Sequence, residues 1–256
     1  MIHPGNVVCW RVAGQFRRRE SPAMFPFRDN IPSRTVPFVT HILIWTNLIV
    51  FAWQASMGER AVEFIQQFGL VPAVVTGQAD PGPLGIVLPF FVSMFLHGGW
   101  FHVLGNVWFL YLFGDNVEDR LGHGRFLWFY LFAGLVAGIA HVLLNPVSAI
   151  PTVGASGAIA GVLGAYLVMY PRARVATLLW LGFYIDVVEL PAVTFLGFWF
   201  IVQIIEGLIA LPMLDAGGVA WWAHIGGFAT GFVFARFLCR ECALERHPAD
   251  PRPYQR

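Results

Sequence analysis

The chain has 256 residues, 57% of them hydrophobic and only 12% charged, about half the charged share of a soluble domain. All 16 basic residues are arginine and the net charge is +1, so there is no basic field to attract a nucleic acid. Uncharged windows of about 20 residues can cross a bilayer as helices, and no dyad alternation suggests a barrel; the expected class is an all-α polytopic membrane protein.

In chain order, residues 1–36 form an Arg-rich, Pro-broken segment expected to stay cytoplasmic, with Arg11, Arg17, Arg18, Arg19, Arg28 and Arg34. No cleavable signal peptide is expected, because the first long apolar run starts only near Phe38. Residues 37–240 are expected to form a six-span core. Span 1 is about Phe38–Met57. Residues 58–92 hold Pro72, Pro81, Pro83 and Pro89 yet are apolar, which suits an interfacial or partly embedded loop. Span 2 is about Ser93–Phe113 and is expected to end in the charged turn Gly114–Gly122. Spans 3 and 4 are about Phe126–Leu144 and Ala155–Tyr170. Residues 171–192, too charged to span, are read as a connector at the interface. Spans 5 and 6 are about Val193–Leu211 and Val219–Leu238, and 241–256 are a tail. This topology puts 15 of the 16 arginines on one face, with only Arg60 opposite. Both termini are then cytoplasmic, in a protein of the inner or plasma membrane.

Cys9, Cys239 and Cys242 make neither a disulfide framework nor a zinc site, and no cofactor or metal is expected.

Polar groups inside the spans mark function. Ser156 opens span 4, followed by Gly157, Gly161 and Gly164. His102 and Asn106 stand one turn apart on span 2, and His224 lies about one turn into span 6, which carries Gly227 and Gly231. Small residues at intervals of four let helix axes approach closely, bringing His224 within reach of Ser156. A serine beside a histidine is a nucleophile beside its base. His102, Asn106 and the Ser156 amide are candidate donors to an oxyanion. No acid is placed to orient His224, which suggests a dyad. His97 is read as structural, and His41, His123 and His141 as interfacial or packing residues. Glu206 is an intramembrane acid expected to be neutral and bonded to a neighbour.

At Gly154-Ala-Ser156-Gly157, His97-x4-His102-x3-Asn106 and Ala223-His224-x2-Gly227-x3-Gly231, the chain resembles the rhomboid family of intramembrane serine proteases. The resemblance covers about residues 38–240 and implies a six-helix rhomboid-like bundle. It also implies a Ser156–His224 dyad, oxyanion stabilisation by His102 and Asn106, and a cavity that opens outward. Gly154, Gly157, Gly161, Gly227 and Gly231 would support helix packing. The implied partners are transmembrane protein substrates in the lipid bilayer, with a loop near Met213–Ala220 capping the cavity and span 5 near the substrate path. Some members carry an aromatic residue four positions after the nucleophile, packed on the histidine. Here that position is Ala160, so another group must hold the ring.

Two rival classes remain. One is a proteolytically inactive rhomboid-like scaffold that binds transmembrane segments; such a protein has no need of serine, histidine and oxyanion donors together. The other is a haem- or metal-binding protein using His97, His102 and His224. A zinc protease lacks its His-Glu-x-x-His motif. The substrate's identity and the oligomeric state are not legible in the sequence.

Overall fold

The computed structural model describes residues 23–80, 82, 85–180, 185–210 and 219–238. The tail 241–256, Cys9, the Cys239 and Cys242 pair, most of the Arg-rich leader and residues 213–218 of the expected cap lie outside the described residues.

The protein is mostly helical. The longer helices are α1 (Phe38–Ser56), α5 (Trp100–Leu121), α6 (His123–Leu144), α7 (Ser156–Met169), α8 (Ala192–Ala210) and α9 (Trp221–Val233). Between α1 and α5, the Pro-rich region forms three short helices: α2 (Arg60–Phe68), α3 (Pro72–Val75) and α4 (Leu88–Val92). Among the described residues α1, α6 and α8 are long and apolar enough to cross a membrane. A fourth span arises if Leu88–Phe95 and Trp100–Leu121, bent by 93° at their break, count as one. This is an integral membrane protein by its helices.

Helix α7 has 14 residues, about 21 Å of rise, short of the ~30 Å hydrocarbon layer. Most of it is buried by its neighbours, consistent with a helix apolar on all sides. It packs on α5, α6 and α9. Leu110, Phe113, Tyr130, Val162, Leu163 and Tyr166, each no more than 1% exposed, form the centre of this core. The α7–α9 contact is the closest: a Cβ on Gly227 would strike the carbonyl oxygen of Gly157, and one on Gly231 that of Gly161. Only glycine lets those backbones touch. Helix α9 continues as a π-helical turn over Phe234–Leu238.

Three stretches differ from the sequence expectation. Span 2 does not run straight from Ser93. A 3-10 turn at Ser93–Phe95 stops at an extended Leu96, and the helix restarts at Trp100 after Gly98-Gly99. The expected turn at Gly114–Gly122 is helix as far as Leu121. Its charges stay helical because they serve other segments: fully buried Glu118 accepts the amides of Val39 (2.8 Å) and Thr40 (2.7 Å), capping α1. The Glu118 carboxylate also meets His123 Nδ1 at 2.5 Å. Asp115 accepts from the Ser33 hydroxyl (2.6 Å), and Asp119 from the Thr35 amide and hydroxyl (2.9 and 2.8 Å). A carboxylate at a helix start satisfies orphan amides and meets the favourable end of the dipole.

The third difference is a sheet. The expected connector contains β2 (Arg174–Trp180) and β3 (Ile185–Pro191), an antiparallel pair, and β1 (Ala23–Asp29) from the leader adds on the other side of β2. The Trp108 indole donates to Pro26 O (2.7 Å), and the Tyr166 hydroxyl to Asp29 Oδ2 (2.5 Å), tying the sheet to α5 and α7.

Candidate active site

Ser156 occupies the first helical position of α7. The first helical amide with a partner in the preceding turn is Ile159, donating to Ala155 O (3.0 Å). The Ser156 amide therefore lacks an intrahelical acceptor. The loop that delivers this serine is stapled in place. Thr152 exchanges both backbone hydrogen bonds with Leu70 (3.0 and 2.8 Å), and the Gly154 amide donates to Ser93 O (2.8 Å).

Across the α7–α9 contact, His224 Nε2 lies 2.8 Å from Ser156 Oγ, and His224 Nδ1 lies 2.6 Å from Gln203 Oε1 on α8. An amide oxygen only accepts, so Nδ1 carries the proton. Nε2 is then the acceptor facing the serine hydroxyl, the arrangement a general base requires. The ring sits between two indoles: Trp199 with a centroid at 5.9 Å and a 33° tilt, and Trp221 edge-on at 6.2 Å. These two tryptophans occupy the role left open by Ala160.

On α5, the Gly98 amide donates to His102 Nδ1 (3.4 Å), which makes Nε2 the protonated, donating nitrogen. One turn later, Asn106 Nδ2 is buried without a hydrogen-bond partner among the described residues. A buried unpaired donor costs about 1–3 kcal/mol. His102, Asn106, Ser156 and His224 line one cavity of about 980 Å³. Its wall is otherwise largely apolar, with Ile65, Phe101, Ile150, Leu163 and Trp199.

The structure thus brings together Ser156, His224, His102 and Asn106. His97 is buried with neither ring nitrogen bonded among the described residues, packed at 6.3 Å on Phe51 and 5.1 Å on His102. Its backbone is clamped by Gln54, so it shapes the bend before α5. Glu206 is exposed, and among the described residues it bonds no neighbour, unlike the expectation. His141 is not a mere packing residue: its Nε2 lies 2.8 Å from the Thr152 hydroxyl, and it lines the cavity.

The sequence reading missed Gln203. The available signal was its spacing from Trp199, four residues earlier on the same face of α8. Among the described residues no group of three or more His, Cys, Asp or Glu side chains is placed to hold a metal.

The chain is similar in sequence to known proteins. The family model described as Rhomboid domain matches residues 85–241. "Rhomboid protease GluP" of Bacillus subtilis (strain 168) is 31% identical over 203 residues, 79% of this chain and 35% of that protein. "Presenilin-associated rhomboid-like protein, mitochondrial" of Mus musculus is 26% identical over 207 residues, 78% of this chain and 48% of the relative. "Rhomboid-like protein 11, chloroplastic" of Arabidopsis thaliana is 40% identical over 72 residues, 28% of this chain and 25% of that one. The chain spans less than half the length of each of these relatives. All the convergent residues, from His102 on α5 to His224 on α9, fall within the matched region, and the chain belongs to the rhomboid family.

Proposed function

We propose that the chain is an intramembrane serine endopeptidase that hydrolyses peptide bonds in or near transmembrane segments of other membrane proteins. The observation that carries this is the 2.8 Å approach of His224 Nε2 to Ser156 Oγ on the wall of the cavity. His224 Nε2 takes the hydroxyl proton as Oγ attacks the scissile carbonyl carbon. The carbonyl oxygen becomes an oxyanion and receives hydrogen bonds from Asn106 Nδ2, His102 Nε2 and the Ser156 amide. Collapse of this intermediate breaks the C–N bond, and His224 passes its proton to the leaving amine. A water molecule, deprotonated by the same nitrogen, then hydrolyses the acyl-enzyme and restores Ser156.

In this reading α1, the bent α4–α5 pair, α6, α8 and α9 are five spans that, with the short α7, make six. Both termini lie on the cytoplasmic side, following the arginine distribution. The apolar cavity wall and the intramembrane serine support a transmembrane segment as substrate.

Fluorophosphonate labelling of the detergent-solubilised protein tests the reading. Wild type is expected to label, while Ser156→Ala and His224→Ala are not. Labelling that survives Ser156→Ala overturns the assignment of the nucleophile, and its absence from folded wild type favours an inactive scaffold.

A further inference from the structure

We infer that Gln203 is the positioning residue for His224, so that a neutral amide on α8 completes the Ser156–His224 pair as a third member. This rests on the proposed peptidase reading and adds a residue to it.

Three observations converge on the inference. Gln203 Oε1 accepts from His224 Nδ1 at 2.6 Å while Nε2 faces Ser156 Oγ at 2.8 Å, so both ring nitrogens are engaged in one line across α8, α9 and α7. Gln203 is 5% exposed, in a membrane-spanning helix whose other buried residues are only Ala192, Phe195, Leu196 and Gly207. A buried polar side chain on an otherwise lipid-facing helix needs a partner of its own. Trp199, one turn earlier on α8, covers the same imidazole ring. Helix α8 therefore contributes both a tautomer-setting acceptor and a wall against ring rotation.

The choice of amide follows from the surroundings. Without an acceptor at Nδ1, the proton is free to sit on Nε2, where it points at Ser156 and leaves no base. A carboxylate would also fix the tautomer, but would add a buried charge in a low-dielectric layer. Glutamine sets the same tautomer with a dipole, and that dipole also favours the imidazolium that forms as the serine attacks. Because Gln203 is on α8, alignment of the base requires α8 to stay docked against α9. One turn further along, Gly207 faces Trp221 and Ile225 of α9, and in the other direction Trp199 and Phe200 meet Phe228.

The test compares full-length wild type, Gln203→Met and Gln203→Glu in detergent, using cleavage of a single-span substrate and fluorophosphonate labelling. Methionine matches the length of glutamine without an acceptor; glutamate restores one. Gln203→Met is expected to lower kcat by about 10- to 100-fold with KM within about twofold, the range for losing one hydrogen bond to a group that becomes charged. Gln203→Glu is expected to recover kcat to within about threefold of wild type, with a displaced pH–rate profile because the acceptor now titrates. Equal kcat in wild type and Gln203→Met overturns the inference, as does an equal fall in both variants with no change in pH profile. Should Gln203→Met fail to fold, nitrogen NMR of histidine-labelled wild type decides. Here the signal lost in His224→Ala is expected to report the Nδ1-protonated tautomer, and the Nε2-protonated form refutes the role. Wild type that does not label at Ser156 is a different failure, that of the peptidase reading itself.

Discussion

Gly154 and His102 stand so close that no side chain fits between them: a Cβ at position 154 would fall 2.6 Å from His102 Nε2 and 3.5 Å from Asn106 Nδ2. The glycine also has φ of 121°, a conformation that L side chains rarely adopt. Two nitrogens from α5 thus stand directly against the residue two before Ser156.

Gly154→Ala is therefore expected to displace His102 or twist the loop bearing Ser156. Turnover should fall at least tenfold, since misplacing a reacting group by about 1 Å costs up to 100-fold. The thermal midpoint should fall by only a few degrees. Substrate cleavage beside a melting curve in the same detergent checks both, and unchanged turnover would mean that the donors do not converge there.

Asn106→Ala removes a donor that is buried and, among the described residues, unpaired. Its bond forms only when the oxyanion does, so the loss should appear in kcat, by about 100-fold, with little change in KM. Losing an unpaired amide should also leave stability equal to or above wild type. Steady-state kinetics and a melting curve check the two halves, and a change confined to KM would instead place Asn106 in ground-state binding.

Asp29 lies outside the membrane-spanning helices, and its carboxyl is raised to about 6, chiefly by burial. The Tyr166 bond opposes that rise, nearby Asp115 adds to it and Arg28 offsets it. The folded value exceeds the unfolded one of 3.8, so the folded state holds this proton longer. The contribution to stability is full below the unfolded value and is lost as pH rises through the folded one. The thermal midpoint of wild type minus that of Asp29→Asn should therefore fall between about pH 4 and pH 6 and level off above. A flat difference across that window would show that Asp29 is solvated in both states.

The spans α1, α6 and α8 were legible because lipid demands about 20 apolar residues per helix, a constraint that survives without knowledge of the partners. Ser156 and His224 were legible because each sits on a row of small residues whose only economical use is close packing. The sheet was not. The Pro26-containing strand and the short run Val175–Trp180 are unremarkable separately, and their pairing of Ala23 with Trp180 is a long-range event that leaves no local trace. Glu118 and Asp115 read as part of a charged turn because a run of charges usually ends a span. Here they answer the amides and hydroxyls of residues 33–40, a demand visible only when α1 and α5 are side by side. Gln203 was passed over in favour of Glu206, since a charge in a span is the louder signal. The structure places the quieter residue against the His224 ring.

The three-stranded sheet also imposes an order on how the protein is made. Strand β1 emerges first, yet its partner β2 follows roughly 150 residues later, on the order of ten seconds of translation. During that interval α1 and α5–α7 leave the ribosome while the leader has no strand to pair with. The β1–β2 ladder can close only after β2 has emerged, and the Tyr166–Asp29 and Trp108–Pro26 bonds then hold that ladder against α7 and α5. Truncating the leader should therefore leave helix insertion intact and weaken the finished assembly, separating the two stages of its biogenesis.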